Sequence, residues 1–321
     1  MRTISCLLLM LAVIAPPALA DTPVTTTANL SFHSAFWVNL HHALFGAAWS
    51  RRADTSARRL IPALPSPLTA PMTDAEHQAW DAAVIYYQTN LADRDLRTGR
   101  DMTAIKRALA GERLDAAAIA PALRTVLDAA APIYRRYFWP QHDASNRAWI
   151  ADVTGRLRSV EKPLIPALER VYAREWFPAP VRVDVTWIGR AYTTLQPTHT
   201  VVSGAEPNMT GWTAVEIVLH EAAHELILPT DEALAAALGD RRRAHGDLWH
   251  VIQFYITGAT LQQVLRERSV EYTPYLYSTG LFDRAWKRYR PLIEQVWPAY
   301  MGGEIGRAEA IERTVSGLPA P

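Results

Sequence analysis

The chain has 321 residues, of which 49% are hydrophobic and 20% are charged, and its formal net charge at pH 7 is +1. A chain of this length and composition can bury an ordinary hydrophobic core. Its nearly balanced charge argues against nucleic acid as a partner, since polyanions are bound by strongly basic surfaces.

The amino terminus has the pattern of a signal peptide. Arg2 precedes the apolar run CLLLMLAVIA, and Ala18, Leu19 and Ala20 match the A-x-A pattern that signal peptidase cleaves. The apolar run is about half of the roughly 20 residues that a membrane-spanning helix needs. We therefore expect residues 1–20 to be removed and the protein to be exported, to a periplasm or the extracellular space, without a transmembrane segment. The single cysteine, Cys6, lies in this segment, which excludes thiolate chemistry in the remaining chain.

Residues 21–175 are predicted to form a helical, bundle-like region. Residues 21–30 are polar, and we expect no regular structure there. Phe36, Leu40 and Leu44 recur every four residues, which predicts an amphipathic helix. After a proline-rich connector, Thr73 and Glu76 form the pattern of a capping box at the start of the next helix. Further helical patterns follow at about 101–111, 115–137 and 143–174.

Residues 176–321 are predicted to form a second region, which can pack as one domain with the first. Alternating valines and a run rich in β-branched residues indicate two short strands between about 180 and 203. Thr213 and Glu216 form a second capping-box pattern at the start of a helix that Pro229 ends. Further helices are expected near 231–238, from Asp247 to about 267, and near 281–297 and 303–315. The predicted fold is mainly α, of the α+β class, with a small β-sheet.

Residues 215–227 read VEIVLHEAAHELI and contain two histidines, His220 and His224, with Glu221 directly after the first. Residues i and i+4 share one face of a helix, so both imidazoles can bind one metal ion. The apolar flanks predict a buried helix, where two histidines and a glutamate are costly unless they are paired or bind metal. Hydrogen-bonded core histidines are the alternative. In an HExxH motif the imidazoles hold zinc and the glutamate accepts a proton from the activated water, so Glu221 is the candidate general base.

This arrangement resembles the zincin metallopeptidases over roughly residues 180–270, where strands precede an HExxH helix and a second helix follows. The resemblance implies a strand that lines a substrate cleft and a third metal ligand from further along the chain. The HExxHxxGxxH variant is excluded, because Ile227 stands where its glycine would be and Pro229 closes the helix. The thermolysin-like branch takes a glutamate from the following helix, but no glutamate occurs between Glu232 and Glu267.

His250 is the predicted third ligand, in the place that the resemblance to helix-crossing zincins implies. It stands among Trp249, Val251 and Phe254, where an imidazole is costly unless it is coordinated or hydrogen-bonded. Asp247, three residues earlier on the same face, is the alternative ligand or an outer carboxylate that orients an imidazole. A core hydrogen bond from His250 to a carbonyl group also remains open. The expected cofactor is Zn²⁺, which suits imidazole ligands on an HExxH helix.

Zincin chemistry also needs a donor that stabilises the oxyanion of the tetrahedral intermediate. Tyr272, Tyr275 and Tyr277 follow the second helix, and Tyr275 is the candidate that we carry forward. Tyrosines at this spacing are also common as packing residues.

Two other clusters mix aromatic and hydrogen-bonding side chains. Asn39, His41 and His42 lie in the first helix, and His142, Asp143 and Asn146 lie in the helical pattern near residue 143. Each cluster is interpreted as a buried polar network that fixes how the helices dock. The alternative is that one of them forms a wall of the substrate cleft or supplies hydrogen-bond partners to the metal ligands.

The leading hypothesis is an exported zinc-dependent hydrolase, and more specifically a metallopeptidase that acts on a peptide or protein substrate. The second is a catalytically inactive zincin-like binding or scaffold protein of the cell envelope. The third is a metal-free helical binding protein. A helix that plugs the cleft over Glu221 would favour the second hypothesis, and a large distance from His250 to the other two histidines would favour the third.

Overall fold

The computed structural model describes residues 22–52, 71–115 and 117–318. The predicted signal peptide lies outside the described residues. The described part is mainly helical and contains a small mixed β-sheet. This confirms the predicted mainly α, α+β fold class.

Most helices follow the predicted order, with differences at their ends. The prediction of a single helix near 281–297 was wrong, since two helices with a break at 286–289 occupy that region, and the short helix at Tyr275–Ser278 was not predicted. The helices are α1 (Phe36–Arg52), α2 (Asp74–Asn90), α3 (Arg100–Leu109), α4 (Pro121–Tyr137), α5 (Trp139–Tyr172), α6 (Gly211–Ala222), α7 (Leu228–Leu238), α8 (Leu248–Arg266), α9 (Tyr275–Ser278), α10 (Leu281–Ala285), α11 (Arg290–Met301) and α12 (Arg307–Ser316). Among the described residues, none of these helices combines the length and the apolar character that a membrane span requires.

Five strands form one sheet in the spatial order β1-β2-β3-β5-β4. They are β1 (Thr25–Thr26), β2 (Leu30–His33), β3 (Val181–Thr186), β4 (Tyr192–Thr194) and β5 (His199–Ser203). The β2/β3 and β3/β5 pairs are parallel, and the β1/β2 and β4/β5 pairs are antiparallel. Consequently β4 forms one edge of the sheet.

Two expectations about the strands were wrong. The 180–203 segment contains three strands, since its β-branched run folds into the β4/β5 hairpin. Residues 21–30 were expected to lack regular structure, yet they hold β1 and the first residue of β2. Leu30 pairs with Val181, which is about 150 residues away in the chain, and this partner stabilises the polar segment as a strand.

The buried apolar side chains form two cores. The amino-terminal core is built from side chains between residues 35 and 138, and the carboxy-terminal core is built from β2 and from side chains between residues 149 and 318. The change from one core to the other therefore falls near the start of α5, whereas the predicted regions divide near residue 175. Most of α5 packs in the carboxy-terminal core, beside α6 and α8.

The two predicted capping boxes have different outcomes. The Thr73 box is confirmed, because its hydroxyl accepts from the Glu76 amide and the Glu76 carboxylate accepts from the Thr73 amide. The second box was wrong, because α6 begins at Gly211 with Thr210 as its N-cap. The Glu216 carboxylate instead accepts hydrogen bonds from the Tyr272 hydroxyl and the Tyr275 amide.

Candidate metal centre

The HExxH segment is helical only in its first part. His220 and Glu221 lie in the last turn of α6, which ends at Ala222, and His224 lies in the turn that leads to α7. The prediction that one helix extends to Pro229 was therefore wrong. The His224 Nδ1 atom lies 3.2 Å from the carbonyl oxygens of both His220 and Glu221, so its ring caps the last carbonyls of α6 and ends the helix there.

Three imidazoles converge at this helix end. The ring centroids of His220 and His224 are 4.9 Å apart, and those of His250 lie 5.1 Å from His220 and 5.5 Å from His224. One ring nitrogen from each of the three lies within 4.8 Å of the others. His250 comes from the first turn of α8, so the predicted trio is brought together by two helices. Within the described residues, it is the only such group of histidine, cysteine or carboxylate side chains that could hold a metal ion.

The low pKa values of His220 and His250 and the orientation of His224 suit metal binding. Burial, together with the two neighbouring histidines, holds the pKa of His220 well below its usual range. Burial, with contributions from His224 and Arg97, lowers the pKa of His250 to about 3. Backbone carbonyls only accept hydrogen bonds, so Nδ1 of His224 carries the proton and its Nε2 is left as the free ligand atom.

Aromatic rings hold the imidazoles in place. Phe254 stacks on His220 with the ring centroids 3.7 Å apart, and Trp249 stacks on His250 at 4.8 Å. The side-chain amide of Gln253 donates to the His220 carbonyl at 2.7 Å. Since His250 and Gln253 lie three residues apart on one face of α8, the same face supplies an imidazole and ties α8 to α6.

The Glu221 carboxylate lies beside the trio. Its Oε2 is 3.5 Å from His224 Nδ1 and 3.0 Å from the Thr193 hydroxyl, which also lies 2.8 Å from the Glu221 carbonyl oxygen. Burial raises the pKa of Glu221, against the opposing effects of His224, Thr193, Arg97 and Lys106. A buried carboxylate with a raised pKa is a better proton acceptor than an exposed one.

Arg97 was missed from the sequence. It lies in the loop between α2 and α3, and its positive charge acts on both Glu221 and His250. The Asp95 carboxylate accepts hydrogen bonds from the Arg97 amide and the Thr98 hydroxyl, each at 2.8 Å, which holds the loop in a tight turn. Arginines in a polar, charged segment such as RDLRTGRD carry no local signal of a site in the fold.

A cleft of about 370 Å³ opens beside the trio. Its walls include Arg97 and Thr98 from the amino-terminal half, Thr193 and Leu195 from the β4 edge, and His224. Thr193 was also missed, although its segment was recognised as a strand; which residue of a strand faces a site depends on a register that the sequence leaves open. The edge strand thus borders this cleft, and its Thr193 also contacts Glu221.

Two further candidates lie apart from the trio. Asp247, the alternative ligand, accepts hydrogen bonds from Trp286 Nε1 at 2.6 Å and the Tyr289 hydroxyl at 3.3 Å, and it lies outside the group that could hold a metal. The Tyr275 ring stacks on Phe254, with the ring centroids 5.8 Å apart, and Phe254 in turn stacks on His220. Phe254 therefore lies between the Tyr275 ring and the His220 ring.

The polar clusters of the amino-terminal half form buried networks. The Asn39 side chain donates to the Val185 carbonyl at 3.0 Å and accepts from Asn146 at 3.0 Å, which joins α1, α5 and β3. His41 lies 2.9 Å from the Tyr87 hydroxyl and His42 lies 3.2 Å from the Tyr192 hydroxyl. His42 also lines a second cleft, so one member of these clusters does form a cleft wall.

Comparison with protein-family models, curated proteins and solved structures finds no match for this chain.

Proposed function

We propose that this chain is an exported zinc-dependent hydrolase, and more specifically a metallopeptidase that acts on peptide or protein substrates. The observation that carries the proposal is the convergence of His220, His224 and His250 beside the Glu221 carboxylate at a cleft. The resemblance of the HExxH segment to zincins supports the same function. Export rests on the signal-peptide pattern of residues 1–20.

The donor set fits zinc. Two nitrogens that bind a tetrahedral zinc ion at about 2.0 Å lie about 3.3 Å from each other. The Nε2 atoms of His220 and His250 are 3.1 Å apart, so small side-chain rotations suffice. Neutral, buried imidazoles are also the ligand type that zinc prefers over the oxygen ligands of calcium or magnesium.

The proposed chemistry divides between the ion and the chain. Bound zinc would lower the pKa of a water molecule towards 7 and polarise the substrate carbonyl. Glu221 accepts the proton of the attacking water, and its burial favours that role. The Thr193 hydroxyl orients the Glu221 carboxylate, and the Arg97 guanidinium adds positive charge that acts on Glu221.

The edge strand β4 favours a peptide among hydrolase substrates. Its outer side pairs with no described strand, and Thr193 on it touches Glu221. An extended peptide can add to such an edge through main-chain hydrogen bonds, which would hold its carbonyl groups beside the trio.

The rival hypotheses gain less support. A cleft lies open beside His224 and Thr193 in the described residues, whereas an inactive scaffold protein could dispense with that opening. A metal-free binding protein has no need for three imidazoles whose nitrogens converge, and His250 lies close to His220.

The decisive experiment replaces Glu221 by glutamine. We expect the wild type, purified without chelator, to contain about one zinc per chain and to cleave members of a peptide library. Glu221→Gln should keep the zinc and lose at least about 100-fold in cleavage rate, because the general base is gone. Metal analysis and mass spectrometry of the peptides measure the two quantities.

Glu225→Gln is the matched control, since Glu225 lies in the same turn but bonds to Thr198 outside the trio. It should retain both zinc and activity. Absence of zinc from the wild type, or wild-type cleavage by Glu221→Gln, would contradict the proposal.

A further inference from the structure

A second cleft, of about 480 Å³, adjoins the candidate metal centre, and Arg97 lines both. Its walls come from α1, from the loop at residues 94–97 and from residues 188–192, which lead into the edge strand. The second cleft therefore lies at the amino-terminal end of the strand that borders the first. An extended peptide whose scissile bond lies at Glu221 would continue into it.

The charge of this cleft is positive. Three arginines line it, Arg94, Arg97 and Arg190, against one carboxylate, Asp95. Arg94 pairs with Asp101, and the Arg97 guanidinium lies 3.8 Å from the Asp95 carboxylate, which leaves Arg190 without such a pair among the described residues. His42 adds no charge, because burial holds its pKa well below its usual range.

Arg190 is the least engaged of the three arginines. It is exposed, and it forms no ion pair or hydrogen bond with any residue that the structure describes. Burial raises the pKa of Glu206, and the positive charge of Arg190 opposes this rise with a smaller lowering effect. An arginine that lines a cleft and forms no close ion pair or hydrogen bond is suited to bind a carboxylate from a ligand.

The rest of the cleft wall is apolar and aromatic. Phe45 and Trp49 lie one turn apart on the same face of α1, and Ile188 faces them across the cleft. Trp49 is one of only two large hydrophobic side chains that are exposed in the described residues. An exposed aromatic ring beside an arginine that forms no close ion pair or hydrogen bond indicates a ligand that carries both an apolar side chain and a carboxylate.

We propose that this second cleft is a substrate subsite, in which Arg190 binds a carboxylate of the peptide while Trp49 and Phe45 pack against the neighbouring apolar side chain. The inference rests on the proposed function in that it treats the bound peptide as a substrate. Binding of a carboxylate in this cleft does not depend on the proposed reaction. Arg190 lies in the segment that leads into β4, three residues before Thr193 in the chain. The carboxylate site therefore lies beyond the amino-terminal end of β4.

Two sources can supply this carboxylate, the carboxyl terminus of the peptide and an acidic side chain. Three acetylated tetrapeptides separate them. The first ends in phenylalanine with a free carboxylate, the second is its carboxamide, and the third is a carboxamide with glutamate in the last position. Binding is measured by isothermal titration calorimetry to the Glu221→Gln protein, which does not consume the peptide.

We expect the free-acid or the glutamate peptide to bind about tenfold more tightly than the plain carboxamide. Arg190→Gln should remove this preference and leave the affinity for the plain carboxamide unchanged. Trp49→Ala should weaken the binding of all three. Arg268→Gln is the matched control, because it changes an exposed arginine beyond the far end of α8, a helix about 27 Å long.

Equal affinities for all three peptides, no measurable binding of any, or a preference that Arg190→Gln leaves intact would overturn the subsite. Its failure is distinct from failure of the proposed function. If the wild type binds no zinc and cleaves nothing, while the carboxylate preference and its loss in Arg190→Gln persist, the subsite stands and the peptidase assignment falls. If the wild type binds zinc and cleaves peptides but shows no carboxylate preference, the peptidase assignment stands and the subsite falls.

Discussion

Glu216 lies one helical turn before His220 and has a buried carboxylate with an uneven set of partners. Its Oε2 accepts from the Tyr272 hydroxyl and the Tyr275 amide, whereas Oε1 is buried without a partner. Burial is the main cause that raises the pKa of Glu216 to about 7 from its ordinary value of 4.5, against the lowering effect of these two hydrogen bonds.

This raised pKa predicts a pH dependence of stability. Between pH 4.5 and about 7 the folded protein holds the Glu216 proton and the unfolded chain releases it. The contribution of Glu216 to the free energy of unfolding is therefore fully present below pH 4.5 and is lost as the pH rises to about 7. The full change is on the order of 3 kcal/mol.

Urea denaturation of the wild type and Glu216→Gln across this range measures the effect as a difference, which cancels the other titrating groups. We expect the wild type to lose stability relative to the variant as the pH rises. Glu312→Gln, at an exposed position, should track the wild type. A difference between wild type and Glu216→Gln that does not change with pH would show that the carboxyl group titrates normally.

Single residues could be predicted from the sequence where their neighbours in the chain make an unpartnered side chain energetically unfavourable. His250 stands among aromatic and apolar neighbours, so the sequence alone shows that its imidazole needs a partner, and the structure places it beside His220. Arg97 and Thr193 gave no such signal, because neither an arginine in a charged loop nor a threonine in a strand carries a free-energy cost that a partner must offset. Their relation to Glu221 is created by the fold alone.

Helix α8 passes very close to α6 and to the start of α9, and a glycine makes this possible. A Cβ atom at Gly258 would lie 2.7 Å from Cβ of Pro274 and 2.8 Å from Oε1 of Glu216. Gly155, in the middle of α5, has no atom within 4 Å of the same position. The two helical glycines are thus a matched pair with opposite surroundings.

We expect Gly258→Ala to destabilise the protein by about 1–3 kcal/mol, because the added methyl group overpacks the contact between helices. Gly155→Ala should stabilise it by about 0.5–1 kcal/mol, since alanine loses less backbone entropy than glycine in a helix. Thermal or urea unfolding of both variants measures the two changes. Equal effects of the two substitutions would mean that helix propensity alone decides them.

Elements followed the sequence prediction where their stabilising contacts are local. The Thr73 capping box involves residues three apart, and it forms as predicted. Glu216 fits the same pattern, but partners 56 and 59 residues away take its carboxylate. β2 likewise depends on a partner strand far along the chain. Local patterns do not contain such partners, so both predictions failed for the same reason.

The candidate site lies where the two cores of the molecule meet. The trio belongs to the carboxy-terminal core, and Arg97 follows α2 of the amino-terminal core. Nearby, the buried amine of Lys106 on α3 donates to the His199 carbonyl on β5 at 2.7 Å, and burial lowers its pKa to about 7. The cleft therefore depends on how the two halves pack.

Because the trio joins α6 to α8, zinc is expected to stabilise the entire fold. Free zinc at about 100 times its Kd adds about 2.7 kcal/mol to the free energy of unfolding. This corresponds to a rise in Tm on the order of 5 °C, which a chelator should reverse. Differential scanning calorimetry, with and without chelator, checks the prediction.

His250→Ala should lose most of this rise in Tm, because it removes a direct zinc ligand. Its zinc affinity should fall by more than the roughly 10- to 100-fold that is typical when a hydrogen-bond partner of a ligand is removed. Asp247→Asn should keep it, because Asp247 bonds to Trp286 and Tyr289 rather than to the trio. A full zinc-dependent shift in His250→Ala, or its loss in Asp247→Asn, would reassign the third ligand.

Both edges of the sheet are short, which bears on how the protein behaves at high concentration. β1 has two residues and β4 has three, so each offers few unpaired main-chain groups. Long, flat edge strands recruit copies of themselves and promote aggregation, and short ones do not. The same shortness limits what β4 can hold to about three residues of an extended chain. Flexible tails and unfolded loops meet that requirement, whereas strands already paired within a folded domain do not.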